Sequence, residues 1–267
     1  MADVDVRVHV ASINTRSSTE LCIRSMRESA GHPFDLVVGD GNSTDGSLAM
    51  LERFQQRGWL KLERADGPRM HGDWLDGWLK DCPTRYCVFC DSDMEFLAGG
   101  WLRDMVDEMT STGAALVCAY FTPPNPDYVH PVFQNRMQLG PRPSPWLLLL
   151  DLDQVRDISS SFLFHEELSA DGSPTIAYDV GGYFFHELVE RGLPWRAMPE
   201  SFLAKVHHFG GMSWGLPGGG GNRAFLTGDQ KMTWVQTQRV RAQQIKKRAR
   251  IRWHLERVRR AKGAAIR

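Results

Sequence analysis

The stretch Asp35-Leu-Val-Val-Gly-Asp-Gly-Asn-Ser-Thr-Asp-Gly46 joins a short apolar run to a turn-rich segment, and it indicates how this chain folds. The apolar half predicts a buried β-strand, and the polar half predicts a turn that leads into a helix. We expect Ser43 or Thr44 to be the N-cap of that helix, because hydroxyl side chains accept hydrogen bonds from the first free N–H groups. Its apolar stripe consists of Leu48, Leu51 and Phe54.

Strands and helices alternate on both sides of this stretch. The predicted strands are Val4–Ile13, Phe34–Gly39, Trp59–Glu63 and Tyr86–Cys90, and the flanking helices are Thr19–Ser29 and Met70–Leu79. Such alternation predicts an α/β protein with a Rossmann-like, mostly parallel sheet, which binds ligands at the carboxyl ends of its strands.

Beyond Phe121 the pattern is less regular. The Pro-rich segment Thr122–Pro145 predicts an irregular surface stretch, followed by a helix at Phe184–Arg191 and a strand near Pro194–Phe202. From Asp229 to Lys262 the sequence has no Pro or Gly and is rich in helix formers, so we expect a long C-terminal basic helix.

Composition excludes several classes of protein. With 267 residues, of which 42% are hydrophobic and 24% charged, the chain is neither disordered, fibrous nor a disulfide-stapled miniprotein. Its longest apolar block, Trp146–Leu150, is too short to span a bilayer, and the first residues do not resemble a secretory leader. The five cysteines favour reduced thiols and a cytoplasmic location, and strand alternation places Cys87 and Cys90 on opposite faces, which favours a structural role over zinc or redox chemistry.

The net charge of zero is the sum of two opposite parts. Residues 236–267 hold 12 basic residues and one acidic residue, a charge of +11, so residues 1–235 carry −11. A basic helix containing Trp253 suits an anionic membrane surface such as the inner membrane face, but it equally suits nucleic acid. Docking onto the acidic body, a dimer contact or a solvated helix is the third interpretation.

Three Asp-x-Asp sequences occur, at Asp3/Asp5, Asp91/Asp93 and Asp151/Asp153. Two carboxylates just beyond a buried strand present oxygens to a divalent cation and, through it, to a diphosphate. Asp91/Asp93 directly follows the fourth strand of the α/β pattern, so we favour this pair as the metal site over a solvated loop.

The order and spacing of these motifs resemble the nucleotide-sugar half of family 2 glycosyltransferases, which have the GT-A fold. The resemblance covers about residues 5–110, and it continues more loosely to a segment similar to the family's His-x-Gly-Gly-x-Ser. Its motifs are Val10-Ala-Ser-Ile-Asn14, Leu21-Cys-Ile-Arg-Ser25, Asp35–Gly46, Tyr86–Asp93, Tyr178–Gly182, Arg191–Trp195 and His208–Ser213. Residues 122–170 and the basic tail lie outside it.

The resemblance implies roles position by position. Ser12 and Asn14 fall where the end of the first strand lines the nucleotide pocket, and Asp40 falls where the family's aspartate contacts base or ribose. Asp91 and Asp93 match the Asp-x-Asp that holds Mg²⁺ or Mn²⁺ on the sugar diphosphate.

Three further positions belong to the same implied pocket. His208 matches the histidine that completes the metal site, with His207 as the alternative. Arg69 and His71 precede the helix before the Asp-x-Asp strand, where related sequences contact the nucleotide; otherwise they are loop residues.

The implied catalytic base is Asp179, the one carboxylate in a stretch where the family often has two. The alternative role for Asp179 is a helix N-cap, and Glu187 is the second candidate base. Trp214 and the loop Gly218–Arg223 follow the metal histidine. This loop would close over the donor with Arg223 on the phosphates, or it has no role in the reaction.

The resemblance therefore implies a metal-dependent, inverting glycosyltransferase that takes a nucleoside-diphosphate sugar, first of all a UDP-sugar. The acceptor would be a glycan, a glycolipid, a small molecule or a modified DNA base. We expect residues 1–120 to bind the donor, 121–228 to bind the acceptor, and 229–267 to form the tail. The rivals are a non-catalytic nucleotide-sugar-binding module and a sugar nucleotidyltransferase, which would need a Gly-rich loop where Asn14–Ser18 has no glycine.

Overall fold

A seven-stranded sheet forms the centre of the computed structural model, which describes residues 5–67, 69, 71–129, 136–170, 172, 174–210, 212 and 234–265. The strand order is β14-β6-β11-β4-β1-β2-β3. These strands are β1 (Val6–Ser12), β2 (Asp35–Asp40), β3 (Lys61–Arg64), β4 (Tyr86–Asp91), β6 (Leu116–Cys118), β11 (Leu147–Asp151) and β14 (Trp195–Ala197).

Helices cover the sheet and extend beyond it. They are α1 (Arg16–Ser29), α2 (Ser47–Gln56), α3 (His71–Asp81), α4 (Trp101–Thr112), α5 (Leu152–Val155), α6 (Gly182–Glu190), α7 (Glu200–Leu203) and α8 (Trp234–Ala265). Within the described residues, no helix is both long enough and apolar enough to cross a bilayer.

Parallel pairing brings the functional ends of three strands together. β1 pairs in parallel with both β2 and β4, and β2 pairs in parallel with β3. The register places Ser12 beside Asp40 and Ala11 beside Asp91. Because neighbouring strands lie about 4.8 Å apart, Asp40 and Asp91 flank the end of β1 at the same edge of the sheet. The predicted mostly parallel α/β sheet is confirmed, with β11 as an antiparallel insertion between β4 and β6.

Both faces of the sheet are buried, because the apolar side chains alternate between two clusters. Val8 and Cys90 belong to the cluster under α1, α2 and α4, whereas Phe89 and Cys87 belong to the cluster under α3 and α6. Cys87 and Cys90 therefore lie on opposite faces, as predicted, and all five cysteines are buried free thiols.

The predicted start of α2 is wrong. Its N-cap is Gly46, which has φ +85°, and not Ser43 or Thr44. The reason is that both residues are engaged elsewhere: the Asn14 backbone N–H donates to Ser43 Oγ (2.9 Å), and the Thr44 backbone N–H donates to Asn14 Oδ1 (2.8 Å). The turn after β2 is thus tied to the end of β1 instead of capping the helix.

The prediction that Thr122–Pro145 is irregular is also wrong, since part of it forms strands. A two-stranded sheet and a four-stranded sheet, ordered β12-β13-β9-β8, use this region, and a third small sheet pairs β5 with β15. The strands are β5 (Met94–Phe96), β7 (Phe121–Thr122), β8 (Asn125–Val129), β9 (Arg136–Leu139), β10 (Arg142–Pro143), β12 (His165–Leu168), β13 (Pro174–Tyr178) and β15 (Val206–His208).

The basic tail docks onto the body as helix α8. Its inner face places Ile251 and Leu255 in an apolar cluster with Leu21, Phe209 and Met212. Polar contacts reinforce this packing, among them Arg259 with Glu20 (2.6 Å) and His254 with Glu95 (2.7 Å). Of the interpretations of the tail, intramolecular docking is the one that the structure contains.

Candidate functional site

Two short structural connections bring the Asp-x-Asp pair and a distant histidine together. Asp91 is the last residue of β4, and Asp93 lies in the turn that leads into β5. β5 pairs antiparallel with β15 so that His208 is opposite Met94. A residue 115 positions away from Asp93 in sequence therefore lies directly beside it.

The three side chains form a compact cluster. His208 Nε2 is 3.3 Å from Asp91 Oδ2 and 3.1 Å from Asp93 Oδ1. One ligand atom from each residue lies within 4.8 Å of the others, and carboxylate with imidazole is a donor set that suits Mn²⁺. The Met212 backbone N–H donates to Asp93 Oδ2 (3.0 Å), which fixes the orientation of that carboxylate.

Opposite charges stabilise one another in this cluster. Burial disfavours a charged His208, but the hydrogen bonds and charges of the two aspartates outweigh burial and raise the pKa of His208 to about 9. Likewise, burial would raise the pKa of Asp91, but His208 and His71 lower it. Without a cation, imidazolium thus provides the positive charge that two adjacent carboxylates require.

His71 joins the cluster from the start of α3, and Arg69 does not. His71 Nε2 is 3.3 Å from Asp91 Oδ1, so an imidazole lies beside each oxygen of Asp91. The Arg69 guanidinium instead lies over the Trp74 ring, 4.1 Å from its centroid, and donates to the backbone carbonyl of Asp73 (2.9 Å).

The alternative metal histidine, His207, lies on the other side of β15. It pairs with Glu95 in the strand register, and its ring packs edge-on against Phe209. Burial lowers the pKa of His207. The structure therefore brings His208, and not His207, to the two aspartates.

At the end of β2, Asp40 presents an unsatisfied oxygen. Its side chain is 1% exposed; Oδ2 accepts a hydrogen bond from the Ser43 backbone N–H (3.0 Å), whereas Oδ1 is buried with no hydrogen-bond partner in the described part of the chain. A buried carboxylate oxygen without a partner is costly, so this position favours a hydrogen-bond donor. Asn14, at φ +52°, positions the adjoining turn through Thr44.

Ser12 lies deeper than the pocket. Its hydroxyl is 2% exposed and contacts the hydroxyls of Thr15 (3.2 Å) and Thr19 (3.0 Å). The Thr15 hydroxyl in turn contacts that of Ser92, between the two metal-site aspartates (3.1 Å). This buried hydroxyl network connects the end of β1 to the Asp-x-Asp turn.

The candidate base, Asp179, is held by a residue that sequence reasoning missed. Asp179 Oδ2 pairs with Arg142 Nη2 (2.9 Å), and Oδ1 accepts the Val180 backbone N–H (2.8 Å). The cap of α6 is Gly181, so Asp179 is not its N-cap. Arg142 also lowers the pKa of Asp91, so its charge acts on both Asp179 and Asp91.

No sequence signal identified Arg142, because it lies in a segment without a motif. Trp146 was also missed as a site residue; its ring stacks on His208 with 5.2 Å between centroids. The second candidate base, Glu187, accepts the Ser160 backbone N–H (3.0 Å) and pairs with Arg191, so both its oxygens have structural partners. Trp214, Arg223 and the Gly-rich loop lie outside the described residues.

The remaining Asp-x-Asp pair with described side chains has a structural explanation. Asp151 is 2% exposed, caps α5 and accepts hydrogen bonds from Arg85 (2.9 Å for the shorter contact). Asp153 is 70% exposed. Because β11 runs antiparallel to β4, Asp151 and Asp91 lie at opposite ends of these two paired strands.

The sequence profile of Glycosyl transferase family 2 matches residues 8–182, about two thirds of the chain. The chain belongs to glycosyl transferase family 2. The enzyme class and family expected from the resemblance are thereby confirmed. No curated protein matches the sequence closely enough to identify a nearer relative.

The first of three similar solved structures confirms the GT-A fold. The mannosyltransferase PcManGT from Pyrobaculum calidifontis, in complex with GDP-Man and Mn²⁺, has a TM-score of 0.54 and 17% identity over 73% of this chain and 55% of its own length. Glucosyl-3-phosphoglycerate synthase from Mycobacterium tuberculosis, in complex with phosphoglyceric acid, has a TM-score of 0.49 and 16% identity over 73% of this chain and 70% of its own. S. aureus TarS 1-349 has a TM-score of 0.45 and 17% identity over 70% and 64%. The chain thus spans just over half the length of PcManGT.

Proposed function

We propose that this family 2 member transfers a sugar from a nucleoside-diphosphate sugar to an acceptor hydroxyl, with inversion and with the help of Mn²⁺ or Mg²⁺. The observation that carries the proposal is the convergence of Asp91, Asp93 and His208 at the sheet edge that also holds Asp40. This edge is where parallel α/β sheets bind nucleotides.

The cation would be held by Asp91, Asp93 and His208. Two observations support the fit: the three donor atoms already lie within 4.8 Å of one another, and both carboxylates compete for one imidazole in the absence of a cation. When bound, Mn²⁺ or Mg²⁺ would neutralise charge on the departing diphosphate. His71 lies on the outer side of the cluster, where an imidazole can contact a phosphate oxygen.

Asp40 would bind the nucleoside. Its unsatisfied Oδ1 requires a donor, which the imide N–H of a pyrimidine base or a ribose hydroxyl provides. PcManGT, of the same fold, binds GDP-Man with Mn²⁺, which supports a nucleoside-diphosphate sugar as the ligand class. UDP-sugars are the first donors to test.

Asp179 would deprotonate the acceptor. Its side chain is 41% exposed and pairs with Arg142, so its carboxylate can accept a proton from an attacking hydroxyl. Arg142 acts as a positioning residue, since it holds Asp179 Oδ2 while the backbone of Val180 holds Oδ1. In this proposal the acceptor hydroxyl attacks the anomeric carbon from the Asp179 side as the diphosphate leaves.

The division into a donor half (1–120), an acceptor half (121–228) and a tail (229–267) remains a proposal. Ser12 and Asn14 are proposed to support the pocket through the hydroxyl network and the turn after β2. Arg69 and Arg223 remain predicted nucleotide contacts. The buried free thiols are compatible with the predicted cytoplasmic location.

The test separates binding from chemistry. Asp179→Asn should bind donor as the wild type does but lose about 10²- to 10⁴-fold in transfer rate, the usual contribution of a general base. The matched control is Glu187→Gln, which removes the second candidate carboxylate and should retain transfer. A large loss in Glu187→Gln with none in Asp179→Asn would overturn the assignment of the base. Transfer that retains the donor's anomeric configuration would overturn the inverting mechanism.

A further inference from the structure

The outer face of α8 has an unusual composition for a surface that has no partner in the described chain. Ile245 and Trp253 are 63% and 62% exposed on it, although the opposite face of the same helix is packed against the body. At about 100° per residue, Ala242, Ile245, Ala249 and Trp253 form one line along the middle of this outer face.

Cations flank this apolar line. Five exposed basic side chains lie on it or beside it, at positions Lys246, Arg250, Arg252, Arg257 and Arg260. Between positions 242 and 260 there is one acidic residue, Glu256, and its carboxylate pairs with Arg259 (2.7 Å). The outer face is therefore strongly positive, with two large apolar side chains at its centre.

We infer that the outer face of α8 binds anionic phospholipid at a bilayer surface. The cations match the charge of the headgroups, and Trp253 and Ile245 are placed to enter the boundary between headgroups and acyl chains. Ile251, Leu255 and His254 on the inner face hold the helix to the body, whereas Trp253 and Ile245 are exposed. Of the five cations, Arg257 also reaches Glu95 (3.6 Å) and Arg250 lies over the Phe209 ring. A nucleic-acid site would need phosphate contacts but no exposed isoleucine along its centre.

The same helix connects the proposed surface to the metal cluster. Lys247 donates to the backbone carbonyl of Gly210, two residues after His208. His254 pairs with Glu95, two residues after Asp93. A bilayer under α8 would hold the cluster close to the membrane, so the acceptor class would be a membrane-borne hydroxyl; this last step rests on the proposed function.

Vesicle flotation with the full chain tests the inference. The protein should float with phosphatidylcholine vesicles that contain about 30 mol% phosphatidylglycerol, and not with pure phosphatidylcholine vesicles. High salt should reverse the binding. In an arginine variant, Arg252 and Arg260 become Gln together with Lys246, and this should lower partitioning at least about tenfold. The matched control replaces Arg53, Arg57 and Lys80, three exposed cations outside α8, and should keep wild-type partitioning.

A second variant separates charge from insertion. Ile245→Ala with Trp253→Ala keeps every cation, and it should lower partitioning at least about threefold if the apolar line enters the bilayer. Each variant is first shown by circular dichroism to melt as the wild type does.

Three results would overturn the inference: equal binding to neutral and anionic vesicles, the same loss in the control triple variant, or no vesicle binding at all. If there is no vesicle binding, binding to duplex DNA that the arginine variant abolishes would identify nucleic acid as the occupant. A concentration-dependent dimer that the same variant abolishes would identify a second copy of the chain. Donor binding is measured in parallel. Loss of donor binding in every protein tested, the wild type included, would contradict the proposed function. Intact donor binding without vesicle binding would contradict the membrane inference alone.

Discussion

Replacing Leu255 by alanine should weaken both the fold and the proposed metal cluster, although the residue lies in the tail, 162 positions after Asp93 in sequence. Leu255 is 3% exposed and packs with Leu21, Phe209 and Met212. Met212 donates its backbone N–H to Asp93 Oδ2, and Phe209 donates its backbone N–H to the Asp93 carbonyl (both 3.0 Å). A cavity at position 255 therefore adjoins the segment that orients the Asp93 carboxylate.

The magnitude follows from the burial of the leucine side chain. Buried leucine-to-alanine changes cost about 2 to 5 kcal/mol, and a site between one helix and the body can partly collapse, so we expect about 2 to 3 kcal/mol. That is a large share of a typical net stability of about 5 to 15 kcal/mol. Looser packing of Met212 should also weaken donor binding in the presence of Mn²⁺.

Urea denaturation and calorimetric titration of donor measure the two effects. Ile245→Ala is the matched control, because it removes a similar aliphatic side chain from the exposed face of the same helix and should change stability by less than about 0.5 kcal/mol. Equal stability and equal donor affinity in Leu255→Ala and the control would refute the packing of α8 on the body. A large stability loss with wild-type donor affinity would refute the link to Asp93.

Three further predictions follow from other contacts. Gly39→Ala should lower stability by about 1 to 3 kcal/mol in thermal denaturation, because its Cβ would lie 2.8 Å from the Trp78 ring; an unchanged melting temperature would contradict this packing. Burial of Glu20 disfavours its charge, but Arg259 and Arg24 outweigh burial and lower its pKa. These ion pairs therefore stabilise the protein above the unfolded pKa of about 4.3, and the stability is lost as pH falls below that value. Glu20→Gln should reduce the loss of unfolding free energy at acid pH. An unchanged pH dependence of unfolding would contradict the role of these ion pairs. Arg142→Gln should lower kcat more than donor affinity in steady-state kinetics; a change confined to KM would contradict its positioning role.

Much of the structure of residues 1–120 was predictable because its sequence signals are local. Apolar runs such as Tyr86–Cys90 indicate a buried strand within a few residues. A carboxylate pair that follows such a strand must lie at the carboxyl edge of the sheet. His208 was found through its resemblance to the family motif. The start of α2 was misplaced because the Thr44 backbone N–H binds Asn14, a partner 30 residues away that no local rule takes into account.

The structure of residues 121–228 was harder to predict because its contacts are distant in sequence. β9 pairs in parallel with β13, Gln138 opposite Ile176, and isolated four- or five-residue strands have weak patterns of their own. Arg142 reaches Asp179 only once these strands are in place. The docking of α8 shows the same limit, since the narrow stripe of Ile251 and Leu255 does not indicate which surface covers it.

The most direct test of the central claim is a calorimetric titration of the nucleoside-diphosphate sugar, with and without Mn²⁺, for wild type, Asp91→Asn and Asp153→Asn. Asp153 is a matched control because it is an exposed aspartate of another Asp-x-Asp pair. We predict that Mn²⁺ tightens donor binding to wild type and Asp153→Asn. Asp91→Asn should lose at least about tenfold of that gain, or about 1.4 kcal/mol. Donor binding that depends on Mn²⁺ equally in all three proteins would contradict the metal site at Asp91, Asp93 and His208.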